Sequence, residues 1–251
     1  MGSSTDNASG AARPCRITAA TYNIHAWVGT DGRWDPERIL DVMRGLDADV
    51  LALQEVDFLW KEGVSAEESL RRELGCAVLL GPTMLRGMSR YGNMLLTRLP
   101  MLEYDQRDLC VDSREPRCCI DALLDAGGAT LRVLATHLGL KHNERICQVR
   151  TLLEALEEGG RQPTILLGDF NFWMPFFGAP ARLARRFTAS PLRRTFPANR
   201  PLLALDRIYL SPGLRFGAFQ VVDTPATRLA SDHLPLRAEI ILGPEPRALC
   251  K

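Results

Sequence analysis

Hydrophobic positions along this chain follow two rhythms: short unbroken apolar runs that end in a polar side chain, and amphipathic stretches between them. The run Thr164-Ile165-Leu166-Leu167-Gly168-Asp169-Phe170-Asn171 shows the first rhythm best. Three successive aliphatic residues read as a strand buried on both faces. Gly168 then lets the backbone turn, and Asp169 and Asn171 emerge at the C-terminal end. Side chains alternate along extended backbone, so both can point one way while Phe170 points into the core. The same rhythm predicts strands over 16–23, 49–56, 76–80, 93–97, 101–109, 117–124, 130–136, 205–210, 215–222 and 234–242. A hairpin turn is expected at Asp125-Ala126-Gly127-Gly128.

The amphipathic stretches predict helices. Asp35-Pro36-Glu37 supplies an N-cap acid and a proline at the first helical position, and Ile39, Leu40, Met43 and Leu46 share one face. Ser65-Ala66-Glu67-Glu68 is a capping box opening a helix to about residue 74. Asn143 is expected to cap a third, striped by Ile146, Val149, Leu152, Leu153 and Leu156. Residues 172–203 read as irregular. Short strands outnumber helices, and hairpins mix with crossovers. The expected fold is therefore α/β: a four-layer sandwich of two mixed β-sheets flanked by helices, in a single domain over 15–243. Residues 1–14 read as a disordered leader or an expression remnant, and 244–251 as a tail.

Composition narrows the class. A formal charge of +1 gives no global basic field to advertise nucleic acid. Seven cysteines at 15, 76, 110, 118, 119, 147 and 250 form no CxxC pair and read as reduced thiols of a cytoplasmic protein. No apolar run approaches the ~18–20 residues of a membrane span, and no signal peptide is visible. A monomer is expected.

The candidate chemistry lies where apolar strands end: Asn23, Glu55, His137, Asp169, Asn171, Asp206, Asp232 and His233. Any one of these has a plain reading as a solvated turn residue, and Asp169 with Asn171 as an Asx turn capping its own backbone. Eight together, including two of four histidines, point to one site. Two unit charges ~4 Å apart repel by ~4 kcal/mol at an effective dielectric of ~20, so converging acids call for a cation. Oxygen donors without cysteine suit Mg²⁺ or Mn²⁺. With no GxSxG elbow, Walker loop or dinucleotide fingerprint, metal-assisted hydrolysis is what remains.

These residues also carry a resemblance. Thr21-Tyr22-Asn23-Ile24-His25, Leu53-Gln54-Glu55-Val56-Asp57, Thr136-His137-Leu138, Gly168-Asp169-Phe170-Asn171, Leu205-Asp206-Arg207-Ile208 and Ser231-Asp232-His233 follow the order seen in the endonuclease/exonuclease/phosphatase superfamily. The chain resembles most its small bacterial members, which are similar to the C-terminal domain of eukaryotic proteins that remodel glycosylphosphatidylinositol lipids. The resemblance implies a Mg²⁺- or Mn²⁺-dependent phosphoric ester hydrolase using direct attack by water. It makes Glu55, Asn23 and Asp232 metal ligands, and Asp169 the group that aligns or activates the water. Asn171 would hold a phosphate oxygen, His233 would be the catalytic histidine fixed by Asp206, and His137 would contact phosphate or the leaving oxygen. Asn93 falls near the group that orients His137, and Arg117 is a candidate phosphate contact, though a solvated strand-edge arginine is the alternative. His25 is expected to cap its own loop.

The substrate stays open between two classes. Phe172-Trp173-Met174-Pro175-Phe176-Phe177 followed by Arg182, Arg185, Arg186, Arg193, Arg194 and Arg200 could grip a lipid headgroup at a membrane surface, with Trp173 and Arg182 touching substrate. The same arginines could follow a nucleic-acid backbone. The plain alternative is a helix packing Leu183 and Phe187 inward with its arginines solvated. A lipid or other small phosphodiester is the first expectation, a DNA or RNA nuclease the second.

Overall fold

A computed structural model describes residues 15–243 except positions 62, 161, 175 and 176 and the side chain of residue 61. The expected leader over 1–14, the tail over 244–251 and Phe176 lie outside the described residues.

The first half of the chain runs β1 (Cys15–Asn23), α1 (Pro36–Leu46), β2 (Val50–Asp57), β3 (Leu59–Lys61), β4 (Val64–Ser65), α2 (Ala66–Leu74), β5 (Ala77–Arg86), β6 (Ser89–Thr97) and β7 (Met101–Asp108). The second runs β8 (Cys118–Asp125), β9 (Thr130–His137), α3 (His142–Glu158), β10 (Thr164–Asp169), α4 (Ala179–Leu183), β11 (Thr188–Ala189), β12 (Asp206–Leu210), β13 (Leu214–Val221), α5 (Pro225–Ala230) and β14 (Leu236–Leu242). The expected α/β sandwich is what these elements build. One sheet has the order β13-β14-β1-β2-β6-β5 and the other β11-β12-β10-β9-β8-β7. Each is mixed, with one parallel pair at its centre: β1 beside β2, joined through α1, and β9 beside β10, joined through α3.

Three hydrophobic clusters separate the four layers. Along β1, Ile17 and Ala19 enter the cluster between the sheets, while Ala20 and Tyr22 enter the one with α1 and α2 residues such as Ile39 and Leu70. Leu166 and Phe170 join α3 residues such as Val149 and Leu152 in the third. Helix starts follow the sequence signals: the Asp35 carboxylate accepts from the Arg38 amide at 3.1 Å, and Ser65 Oγ from the Glu68 amide at 3.1 Å. Helix α3 differs. It begins at His142, and Glu144 turns back to accept from the Lys141 amide at 3.3 Å, so the acid three residues in displaces Asn143 as the capping group. Among the described residues no helix is long and apolar enough to cross a membrane, and the six cysteines described are unpaired.

A buried charge pair stiffens the second sheet. Asp121 accepts from Arg132 Nε at 2.8 Å and Nη2 at 2.6 Å, and from Arg107 Nε at 2.6 Å. Burial alone would raise the Asp121 carboxyl; the two guanidinium groups outweigh it and hold it below the usual carboxylate range. A depressed folded pKa means this stabilisation is present above the unfolded value of ~3.9 and fades as pH falls through the folded one. Asp121→Ala strands Arg132, which is itself buried, and is expected to cost about 3–5 kcal/mol in urea unfolding near neutral pH. A loss below about 1 kcal/mol would place the pair with exposed salt bridges instead.

Candidate active site

Both parallel pairs end at the same rim. β1 stops at Asn23, β2 runs just past Glu55, β9 stops at His137 and β10 at Asp169. Their antiparallel neighbours enter there: β12 starts at Asp206, directly opposite Asp169, and β14 follows Asp232 and His233 by a few residues. The carboxyl ends of parallel strands are where open α/β sheets place their chemistry, because neither neighbour covers them. A cavity of about 820 Å³ opens at this rim, lined by Glu55, His137, Asp169, Asn171, Asp232 and His233 among others. Asn23 and Asp206 are buried behind that lining.

Local backbone features aim these side chains. The β2–β6 register slips between Leu53 and Val56, and Glu55 there has φ 56°, a bulge that turns its carboxylate toward the cavity. Gly168 lies so close to β9 that a Cβ would sit 1.8 Å from the Thr136 carbonyl oxygen, so only glycine lets β10 bring Asp169 beside His137. Asn171, at φ 52°, donates its amide to Asp169 Oδ1 at 2.9 Å. That bond is the Asx turn of the plain reading. It uses one oxygen of Asp169 and leaves Oδ2 to the site, so the turn and the site coexist.

Asp169 Oδ2 is the hub. Asn23 Nδ2 donates to it at 3.2 Å and to Glu55 Oε1 at 2.9 Å, tying the two sheets together across the rim. His137 Nε2 is 3.5 Å and His233 Nε2 3.7 Å from the same oxygen. His233 Nδ1 pairs with Asp206 Oδ2 at 2.9 Å. Arg117 Nη1 lies 3.2 Å from His137 Nδ1; a guanidinium only donates, so Nδ1 accepts and Nε2 carries the proton. The Asn171 side-chain amide, 3.2 Å from His137 Nε2, is anchored by donating to the Leu138 carbonyl at 2.9 Å.

The charges follow from this packing. Burial pushes the Asp169 carboxyl up to about 7, with the Asp206 charge adding to the rise and His233 opposing it. Burial pulls His233 down, but Asp206, Asp169 and Asp232 outweigh it and raise the imidazole to about 10, so it is a cation near neutral pH. Burial drives His137 well below its ordinary value, helped by Arg117 and His233, so it stays neutral.

The donor set fits a hard cation. Buried ligand atoms of Asp169, Asp206 and His233 lie within 4.8 Å of one another, close enough to hold a metal ion. His233 and Asp206 are committed to each other, however, which leaves the carboxylates of Glu55, Asp169 and Asp232 as the oxygens facing the cavity. Asn23 presents its nitrogen to the Glu55 and Asp169 carboxylates, while its Oδ1 accepts from the His25 amide at 3.1 Å. Its service as an oxygen ligand requires the side-chain amide to rotate.

The model of the Endonuclease/Exonuclease/phosphatase family matches residues 21–233. The chain belongs to that family. The uncharacterized protein YbhP of Escherichia coli is 31% identical over 88% of this chain and 95% of its own. An endonuclease/exonuclease/phosphatase structure from Beutenbergia cavernae superposes with TM-score 0.77 at 23% identity, covering 93% of this chain and 73% of that one. The human Nocturnin catalytic domain gives 0.74 at 21%, covering 90% and 93%. A mannosyl-6-phosphatase from Bacteroides thetaiotaomicron gives 0.74 at 20%, covering 89% and 99%. These structures share the family fold.

The eight strand-end residues read from the sequence thus converge at one rim. Arg117 and Trp173 line the cavity as well. Asn93 donates to the Cys118 carbonyl at 3.3 Å, next to Arg117, and Arg117 and Asn171 flank His137. Arg182 is exposed on α4; Leu183 and Phe187 pack inward and Arg186 pairs with Glu157 at 2.5 Å, the plain arrangement for this segment. His25 contacts the Val28 carbonyl at 3.1 Å, holding its own loop, and it also lines the cavity.

Three contributors had no role assigned to them from the sequence. Tyr91 hydrogen-bonds the Glu55 carboxylate, and burial with that negative charge pushes its phenol far above the usual range. Phe196 packs on His233 with ring centroids 4.8 Å apart. Ser231 Oγ donates to the Asn23 carbonyl at 2.7 Å and accepts from the His233 amide at 3.3 Å, linking the last segment to the first strand.

Proposed function

We propose that the protein is a Mg²⁺- or Mn²⁺-dependent phosphodiesterase that hydrolyses a lipid or other small phosphodiester by direct in-line attack of water. The observation that carries this is the convergence on Asp169 Oδ2 of a neutral imidazole, a cationic imidazole and an amide, beside the Glu55 and Asp232 carboxylates, at the mouth of one cavity. A divalent ion held by Glu55, Asp232 and Asn23 would supply Lewis acidity at the phosphoryl oxygens.

The chain's own groups divide the remaining work. Asp169, near neutrality, is suited to orient water and take its proton, since a base works best close to the operating pH. His233, held as an imidazolium by Asp206, is suited to stabilise charge on the phosphoryl group and to give a proton to the leaving oxygen. Neutral His137 and Asn171 can donate to non-bridging oxygens, as can Arg117. No side chain in the set is placed as a covalent nucleophile.

The cavity's size suits a small substrate or a headgroup. Its lining mixes those polar groups with Val28, Met84, Leu140, Trp173, Phe196 and Leu205, which favours a substrate with an apolar portion over a nucleic-acid backbone. The reading is of a cytoplasmic monomer in peripheral contact with a membrane.

Purified protein with Mg²⁺ or Mn²⁺ is expected to hydrolyse bis-(p-nitrophenyl) phosphate and at least one phospholipid, and chelator should stop it. The same panel includes p-nitrophenyl phosphate, plasmid, abasic duplex and RNA. Cleavage of nucleic acid with no turnover of the small diester or lipid would replace this reading by that of a nuclease. A preference for the monoester would move it toward the phosphatases.

A further inference from the structure

The most exposed large apolar side chains among the described residues are Met88 (105%), Leu85 (74%), Phe177 (67%), Met174 (66%) and Leu140 (58%). All five belong to the segments that wall the mouth of the cavity. Leu85 and Met88 form the tip of the β5–β6 hairpin, whose Met84 and Arg86 line the cavity from the first sheet. Leu140 lines it from the loop after β9, and Met174 and Phe177 follow Trp173, which lines it after β10. Single exposed apolar residues on a protein surface need no explanation; the five largest exposures gathered around one opening do.

Cations share this rim. Arg86 and Arg90 flank the hairpin tip and Lys141 follows Leu140; all three are exposed. Arg86 lies with its guanidinium carbon 5.2 Å from the Tyr91 ring centroid, which braces the hairpin beside the ring that holds Glu55.

We propose that this rim docks the protein on an anionic phospholipid bilayer, with Leu85 and Met88 entering the interface on one side of the mouth and Met174 and Phe177 on the other. The inference rests on the phosphodiesterase reading and states where the substrate comes from: a phosphodiester presented at a membrane surface. A protein partner would be met by one continuous apolar patch. Here the apolar tips are split by the cavity opening and accompanied by arginine and lysine. A fluid, negatively charged headgroup layer can fill such a gap, take up separated prongs and neutralise the cations at once. Docked in this way, the cavity would open at headgroup level.

Co-sedimentation with vesicles of phosphatidylcholine containing phosphatidylserine, and with phosphatidylcholine alone, tests this, alongside hydrolysis of bis-(p-nitrophenyl) phosphate in solution. The full chain is expected to bind the anionic vesicles, more weakly as salt rises but not to zero, since apolar insertion outlasts screening. Leu85→Ser with Met88→Ser should weaken binding at least about tenfold while keeping the wild-type melting temperature and soluble-diester turnover. Binding that the double substitution leaves unchanged, or no vesicle binding at low salt, overturns the docking surface. Hydrolysis without vesicle binding would refute the docking and spare the phosphodiesterase reading; vesicle binding without hydrolysis of any phosphodiester would do the reverse. Salt-sensitive binding to duplex DNA, indifferent to Leu85 and Met88 and with no vesicle binding, counts against the proposal as well.

Discussion

His233→Ala is expected to lower phosphodiester turnover about 10²–10⁴-fold, the usual cost of removing a positioned acid–base group. The imidazole is buried, paired with Asp206 at 2.9 Å and 3.7 Å from Asp169 Oδ2, so no neighbouring side chain can take its place. Its folded value of about 10 lies above the ordinary ~6.5 of histidine, which sets the sign of the linked stability. The contribution is complete below ~6.5 and is lost as pH rises through about 10. Asp206→Asn keeps the shape but removes the charge that holds the imidazolium. It should lower the rate and shift the alkaline fall-off in activity to lower pH. Because His233→Ala leaves Asp206 without its partner, rates should be compared well below each variant's melting temperature. Turnover within threefold of wild type in folded His233→Ala would end the assignment.

The second large effect is on metal response. A metal at 100 times its Kd stabilises a fold by ~2.7 kcal/mol, so millimolar Mg²⁺ or Mn²⁺ should raise the melting temperature. Glu55→Gln keeps the side chain's shape and one accepting oxygen, enough for Asn23 Nδ2, while removing the charge. It is expected to abolish most of that rise together with the metal-dependent activity. An unchanged melting response to Mg²⁺ and Mn²⁺ in Glu55→Gln would move the ion elsewhere, the Asp169, Asp206 and His233 cluster being the alternative.

Much of this architecture was legible because it obeys local rules. Ile165, Leu166 and Leu167 are apolar because both faces of β10 are covered, and the run announces itself without reference to anything distant. Asp35-Pro36 and Ser65 with Glu68 announce their helices through chemistry confined to one turn. Helix α5 carried an equally plain signal, Thr224 capping and Pro225 in the first turn, yet its six residues were too few to set up a periodic stripe. The hairpin of β3 and β4 left no pattern because two- and three-residue strands cannot alternate. In the site, strand-end polarity marked the groups that face the cavity. Partners such as Tyr91 on Glu55 and Phe196 on His233 were invisible, because their roles depend on contacts between segments more than 30 residues apart in sequence. Asn93 makes its contact on the neighbouring sheet, to the carbonyl of Cys118 next to the Arg117 that flanks His137, a partner that its own strand cannot specify.

The two sheets are not built from consecutive halves of the chain, and this bears on synthesis. The second sheet, β7 to β12, is inserted between β6 and the last two strands of the first. While a ribosome is still making residues 101–235, β1 can pair with β2 but has its other edge bare, since its partner β14 spans Leu236–Leu242. That bare edge carries Ile17, Ala19 and Tyr22, apolar side chains of a kind that invites pairing with another nascent chain. His233 arrives in the same closing segment, tied to β1 by Ser231 on the Asn23 carbonyl. Completion of the candidate site therefore coincides with sealing of the exposed edge, and a polypeptide stalled or truncated before residue 231 is expected to lack the site's His233 and to aggregate.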